Sequence, residues 1–162
     1  MVLIVKFAAI NKNDFINGEG VCVSLWVQGC PHHCKGCHNP EQWNFNGGQY
    51  KDNDILVEEI IDAITANGIQ RNFSVLGGEP FAPQNMPDVY EIIFKVKQKF
   101  PNIKVYVWSG YTLEELQEMY LPKLLDNVDV LIDGRFILAE RDITLKLRGS
   151  KNQRILYKGT DF

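Results

Sequence analysis

Three cysteines fall within eight residues of the stretch Gly29 to Pro40, Gly-Cys-Pro-His-His-Cys-Lys-Gly-Cys-His-Asn-Pro, and the chain has only four in all. Two prolines and two glycines in the same stretch keep it off a regular helix or strand. A loop of this kind can wrap three thiolates around one soft metal centre. The spacing Cys30-x-x-x-Cys34-x-x-Cys37 supplies three ligands, whereas a complete iron–sulfur cubane needs four. A 4Fe-4S cluster held this way leaves one iron open to a substrate or cofactor. The competing reading is a structural zinc ion that takes His32, His33, His38 or Cys22 as a fourth ligand and staples an interaction module. Zinc sites commonly present paired Cys-x-x-Cys knuckles, and only Cys34-x-x-Cys37 has that form.

The elements around the loop are those of an α/β chain. Val21 to Gln28 reads as a strand that feeds directly into the cysteines, preceded by a first strand at Val2 to Ala9 and a polar, turn-rich segment from Asn11 to Gly20. The loop continues through Gly47-Gly48 to about Asp52. Asp54 can cap a helix from Ile55 to about Ala66, with Val57, Ile60, Ile61 and Ile64 on one face and Asn67-Gly68 at its end. Asn72 to Leu76 is a strand running into Gly77-Gly78-Glu79-Pro80, and a second helix spans roughly Met86 to Phe100. Ile103 to Trp108 is the next strand, ending at Ser109-Gly110. Thr112 and Glu115 then form a capping box for a helix through Met119. Val128 to Ile132 runs into Asp133-Gly134-Arg135, and two further strands are expected at Ile143 to Leu147 and near Arg154 to Tyr157.

Alternating strands and helices imply a mostly parallel, curved sheet of about six strands, too few for a closed eight-fold barrel of ~250 residues. An incomplete βα barrel over residues 1–162, in one domain, is the expected fold. In such folds ligands gather at the carboxyl ends of the strands. The cysteine loop, Gly77-Gly78-Glu79-Pro80, Ser109-Gly110 and Asp133-Gly134-Arg135 all follow strands and should therefore converge on one edge.

Composition excludes several classes. With 45% hydrophobic residues the chain can build a substantial core, and a net charge of −3 leaves no electrostatic footprint for nucleic acid or an anionic membrane. No apolar run approaches the ~20 residues of a membrane span, and no cleavable leader is evident. Clustered cysteines without a leader point to a metal site in a reducing, cytoplasmic and anoxic compartment rather than to a disulfide framework.

The cysteine motif after a strand, with Gly-Gly-Glu-Pro after the next, resembles the radical S-adenosylmethionine enzymes. Within them, Asn17-Gly18-Glu19-Gly20, Gly36-Cys37-His38-Asn39, Trp108-Ser109-Gly110-Tyr111, Val130 to Phe136 and Arg148-Gly149-Ser150-x-Asn152-Gln153 are similar to the activating enzymes of anaerobic ribonucleoside-triphosphate reductase. The similarity runs from about residue 14 to residue 156. It implies that Cys30, Cys34 and Cys37 hold three irons and that the amino and carboxylate groups of S-adenosyl-L-methionine chelate the fourth. One electron would break the C5′–S bond, giving methionine and a 5′-deoxyadenosyl radical that takes hydrogen from a glycine Cα of the large reductase subunit. That subunit and an electron donor such as flavodoxin are the implied partners. The same chemistry aimed at another glycyl-radical enzyme is the alternative target.

The resemblance also implies roles for the supporting residues. Gly77 and Gly78 would let the backbone approach the methionine moiety. Glu79 would orient its ammonium or support the loop. Gly36, Cys37 and His38 should lie against the adenine; many relatives carry an aromatic residue where this chain has Gly36, and His38 is the candidate replacement. Ser109 can offer a hydroxyl to the carboxylate or ribose. Asp133 and the Arg148 segment are candidates for the ribose side or the partner surface, with capping a turn as the plainer role for Asp133. A radical this reactive calls for a closed site, and a chain too short to close its own barrel could borrow the missing wall from a protein substrate or from a homodimer or other complex. Beside these stand plainer readings: Cys22, Trp26 and Trp108 as core, Trp43 as a cover over the cluster, His32 and His33 as solvated loop residues or reductase contacts, and Lys95, Lys97 and Lys99 as the wet face of a helix.

Overall fold

The computed structural model describes residues 4–162, so Val2 and Leu3 of the expected first strand lie outside the described residues. One sheet of seven strands organises the chain: β1 Ile4–Asp14, β2 Cys22–Val27, β3 Gln49–Asp52, β4 Asn72–Gly77, β5 Val105–Ser109, β6 Val130–Asp133 and β7 Arg154–Tyr157, in the spatial order β3-β1-β2-β4-β5-β6-β7. The middle of the sheet, β2-β4-β5-β6, is parallel. Both flanks are antiparallel: β1 on β2, β3 on β1 and β7 on β6. The fold is therefore α/β with a mixed, open sheet; it is not closed. Seven strands replace the expected six or so, and the parallel character is confined to the centre.

Side chains alternate along the central strands with the period of two that a pleated sheet imposes. Val23, Leu25 and Val27 of β2, Phe73 and Val75 of β4, Val105 and Val107 of β5 and Leu131 of β6 all join one large core. That core is closed by α1 (Asn53–Ile64), α2 (Met86–Lys99) and α3 (Leu113–Met119), whose apolar stripes include Leu56, Ile60, Ile64, Val89, Ile92, Ile93, Val96 and Leu116. Burying each such side chain contributes about 1.5–3 kcal/mol before chain entropy is counted. On the opposite face Trp26, Leu76, Trp108 and Ile132 line a cavity instead. All three helices thus cover one face, and the other is left for chemistry.

Local departures from the sequence reading have identifiable causes. The first strand runs on to Asp14, through residues whose polarity reads as a turn. β3 is an edge strand of Gln-Tyr-Lys-Asp, and its residues are exposed or half-buried, so it lacks the apolar alternation that marks a strand. The cap of α1 is Asp52, whose side chain accepts from the Asp54 N–H at 2.8 Å; Asp54 itself lies inside the helix. Ile143 to Leu147 forms turns rather than a strand, with Leu145 N–H donating to the Asp142 carbonyl and Leu147 at φ 63°. The capping box at Thr112 and Glu115 is present in full.

Candidate active site

The carboxyl ends of β2, β4, β5 and β6 lead into the four loops that the sequence places together, and residues of all four line one cavity of about 480 Å³. That volume lies in the range of small-molecule and cofactor sites. Cys30, Cys34 and Cys37 stand on its wall as free thiols, together with Gly77, Gly78 and Ser109. The cysteine loop is pinned at its base: Gly29 N–H donates to the Gln42 carbonyl at 2.8 Å and Cys30 N–H to the Trp43 carbonyl at 3.2 Å. Buried Asn85 joins in, its Nδ2 donating to the carbonyls of Gln28, Gly29 and Glu79 at 3.1, 3.3 and 2.9 Å. Burial pushes the Cys30 thiol up to about 11, and the nearby Glu79 charge acts in the same direction. Burial also raises Cys34. Binding a metal here must therefore expel protons from the sulfurs.

The two glycines of Gly77-Gly78-Glu79-Pro80 answer first to the neighbouring loop. A Cβ at Gly78 would fall on the Gly29 carbonyl, 2.8 Å from its carbon, and Gly77 sits at φ 109° with its missing Cβ 2.7 Å from the Val27 nitrogen. Gly78 N–H donates to the Val27 carbonyl at 2.9 Å and Glu79 N–H to the Gly29 carbonyl at 2.7 Å, so the two loops are laced backbone to backbone. Gly36 has an equally local reason. A Cβ there would meet Leu138, 2.9 Å from its Cδ1, so a leucine from the segment after β6 fills the space beside this position.

Glu79 is almost wholly buried and has four partners. Its Oε1 accepts from the Gly110 N–H at 2.6 Å and lies 2.8 Å from His32 Nε2; its Oε2 accepts from the Phe81 N–H and the Ser109 hydroxyl, both at 2.8 Å. The Ser109 oxygen in turn accepts from the Tyr111 N–H at 3.1 Å. Glu79 and Ser109 therefore satisfy each other, and both support the cavity wall. Asp133 does not line the cavity: its Oδ2 accepts from the first N–H of α3, Leu113, at 2.7 Å, and both oxygens are held by Arg154 at 2.5 and 3.0 Å. Arg154 continues to Glu114 at 2.7 Å.

Further wall residues follow β6, where the sequence marks Phe136 and the Arg148 segment but reads Leu145 and Leu147 as part of a strand. The segment after β6 crosses the open face of the sheet and contributes Phe136, Leu145, Leu147 and Arg148 to the cavity. Trp108 Nε1 donates to the Leu147 carbonyl at 2.6 Å, and Gln153 ties the segment by accepting from the N–H groups of Gly149 and Ser150 and donating to the Gly134 carbonyl. Phe136 packs 5.4 Å from the His38 ring, so an aromatic side chain borders the motif after all, from a distant part of the chain. The Arg148 Nε is buried without a partner. Trp26 and Trp108 both line the cavity, and Trp108 also packs on the small apolar cluster of Tyr106, Val130 and Ile132, while Trp43 stacks on His33 at 4.6 Å instead of lining the cavity.

A cluster fits this donor set: three free thiols on one loop, a cavity beside them and no bulky side chain in the two glycine turns that also line it. Among the described residues no three His, Cys, Asp or Glu side chains converge as on a single ion. A lone zinc ion needs four ligands about one point, whereas a cubane needs its thiolates on separate irons.

The family described as "4Fe-4S single cluster domain" matches residues 16–156. Proteins named anaerobic ribonucleoside-triphosphate reductase-activating protein are similar over most of their length. That of Haemophilus influenzae is 40% identical over 88% of this chain and 91% of its own. That of Escherichia coli K12 is 36% identical over 86% and 90%, and that of Enterobacteria phage T4 is 38% identical over 91% and 90%. The chain belongs to the family of anaerobic ribonucleoside-triphosphate reductase-activating proteins and carries its 4Fe-4S single-cluster domain.

Proposed function

We propose that this chain is a radical S-adenosylmethionine activase that generates the glycyl radical of an anaerobic ribonucleoside-triphosphate reductase. Cys30, Cys34 and Cys37 hold the cluster. When bound, the cluster delivers the electron that splits S-adenosyl-L-methionine into methionine and a 5′-deoxyadenosyl radical. The observation that carries the reading is the meeting of three free thiols with the Gly77-Gly78 turn in a single cavity at the carboxyl ends of the parallel central strands.

The chain's own residues divide the remaining work. Gly77 and Gly78 present backbone to the methionine end, while Cys37 and His38, flanked by Phe136, border the adenine, and Gly36 lets Leu138 pack beside them. Ser109 and Glu79 are part of the wall and hold the turn rigid through their mutual hydrogen bond. Asp133 acts farther out, through the start of α3 and Arg154. We read the open sheet as an incomplete barrel whose missing side the reductase covers. An external one-electron donor such as flavodoxin is required, and the oxygen-poor cytoplasm is where an open iron survives. No described helix is long and apolar enough to cross a membrane.

The test is anaerobic reduction of the iron-loaded protein with S-adenosyl-L-methionine, with and without the reductase. Methionine and 5′-deoxyadenosine should form, and a protein radical should appear only when the reductase is present. Cofactor cleavage without that radical would refute the target and spare the chemistry. A colourless, zinc-loaded protein would refute both.

A further inference from the structure

We propose that His32 is a positioning residue: its bond to Glu79 locks the middle of the cysteine loop onto the turn that carries the cofactor. The inference rests on the cluster and cofactor assignment above and adds to it the part that fixes their relative geometry.

His32 lies between Cys30 and Cys34, on a segment whose composition suggests a solvated loop, yet its side chain is only 5% exposed. The imidazole is held on three sides. Nε2 lies 2.8 Å from Glu79 Oε1, the ring meets Tyr111 edge-on at 4.5 Å, and it sits so close over Gly110 that a Cβ there would come within 2.6 Å of Nε2. The other three donors to Glu79 leave its carboxylate only an acceptor's role, so Nε2 is the protonated nitrogen. His32 lies two residues from Cys30 and two from Cys34, so the tie from its side chain to Glu79 falls midway between two cluster ligands.

The rest of the loop offers no substitute. Its base is pinned at Gly29 and Cys30, and its far end packs through Gly36 on Leu138. Among the described residues, His32 makes the only side-chain hydrogen bond from the span between Cys30 and Cys34 to another element. Glu79 gathers donors from the cysteine loop, from its own turn and from the end of β5, so a shift of His32 changes the sulfur positions relative to Gly77-Gly78 without disturbing the core. Outer-shell partners of this kind orient metal ligands and tune the metal, and removing one typically costs about 10–100-fold in affinity or activity.

The experiment compares His32→Leu, which keeps apolar packing but loses the donor, with His32→Gln, whose amide can restore it. Both are studied at equal iron and sulfide content. For His32→Leu the expected result is cofactor cleavage slowed about 10–100-fold. The change that S-adenosyl-L-methionine induces in the spectrum of the reduced cluster should be diminished and the midpoint potential shifted. His32→Gln should recover most of each. In the cluster-free protein, trypsin should nick the exposed Lys35 faster in His32→Leu than in wild type, a readout independent of activity. Wild-type cleavage rate and cofactor response in a fully loaded His32→Leu overturn the proposal. A wild-type protein that shows no cofactor response overturns the assignment beneath it, which is a different result. Should His32→Leu not take up a full complement of iron, His32→Asn, too short to reach Glu79, replaces it. Equal nicking of variant and wild type then counts against the tie.

Discussion

At the residue scale the cysteine loop is held by atoms that its own motif does not contain. Burial favours the protonated thiols of Cys30 and Cys34, so metal binding there must displace those protons. Removing one sulfur leaves two, which is short of the set a site-open cubane uses. Cys34→Ala is accordingly expected to lose most of its iron and sulfide after anaerobic reconstitution, together with the brown colour and cofactor cleavage; full iron content in that variant contradicts the ligand assignment. Gly78→Ala probes a different contact. Its new Cβ would press on the Gly29 backbone, which cannot swing away as a side chain can, and overpacking of this sort costs about 1–3 kcal/mol. Urea unfolding of the cluster-free protein should show that loss, and an unchanged midpoint would mean the two loops are less tightly laced than their hydrogen bonds indicate. The cysteines are legible in the sequence as a candidate ligand set because three thiols at short spacing serve few purposes besides holding metal. The four partners of Glu79 are not legible, because they come from residues 32, 81, 109 and 110 and meet only in the fold.

At the scale of elements, β1 and β2 are joined where they diverge by Asp14. Burial alone would push its carboxyl up, but donation from the Asn17 side chain, from the Ile16 and Asn17 N–H groups and from the Ser24 hydroxyl outweighs it and holds the group below the usual carboxylate range. The unfolded chain then takes up the proton more readily than the folded one. Asp14 therefore contributes its full stability above the ordinary carboxylate value of about 3.9 and loses it as pH falls through the lower folded value. Unfolding midpoints of the cluster-free protein, measured from pH 6 down to pH 3, should fall more steeply in wild type than in Asp14→Asn; parallel curves would mean that Asp14 does not contribute to the acid limit. Strands with buried faces and helices with caps are readable from period and end signals, as β2, β4, α2 and the Thr112 capping box demonstrate. β3 and the turns at 143–147 are not, since an edge strand need not be apolar and a wall facing a cavity need not be a strand.

At the scale of the whole molecule, three helices on one face leave the other face of the sheet to the cavity, which the segment between β6 and β7 borders together with the cysteine loop and Ile16 and Asn17. The convergence of four loops at one edge is predictable from alternation of strands and helices, because parallel strands send their carboxyl ends the same way. The antiparallel flanks follow from no such rule: β1 and β7 each pair with the strand next to them in the chain, and β3 reaches back past β2 to pair with β1. An open cavity also has a consequence for where the radical's hydrogen comes from. Alone, the protein offers a reactive primary radical no confined partner, so hydrogen should come from buffer, reductant or the cavity wall. On the docking proposed above, one glycine Cα of the reductase would become the nearest donor. Reductase labelled with deuterium at glycine Cα should therefore pass deuterium into 5′-deoxyadenosine, in step with the appearance of the glycyl radical. Unlabelled reductase, or labelled reductase added after the cofactor has been consumed, should pass none. Unlabelled 5′-deoxyadenosine formed alongside a growing radical on the labelled reductase would mean that the hydrogen moves through an intermediate carrier, and the docked geometry drawn from the open face would have to be abandoned.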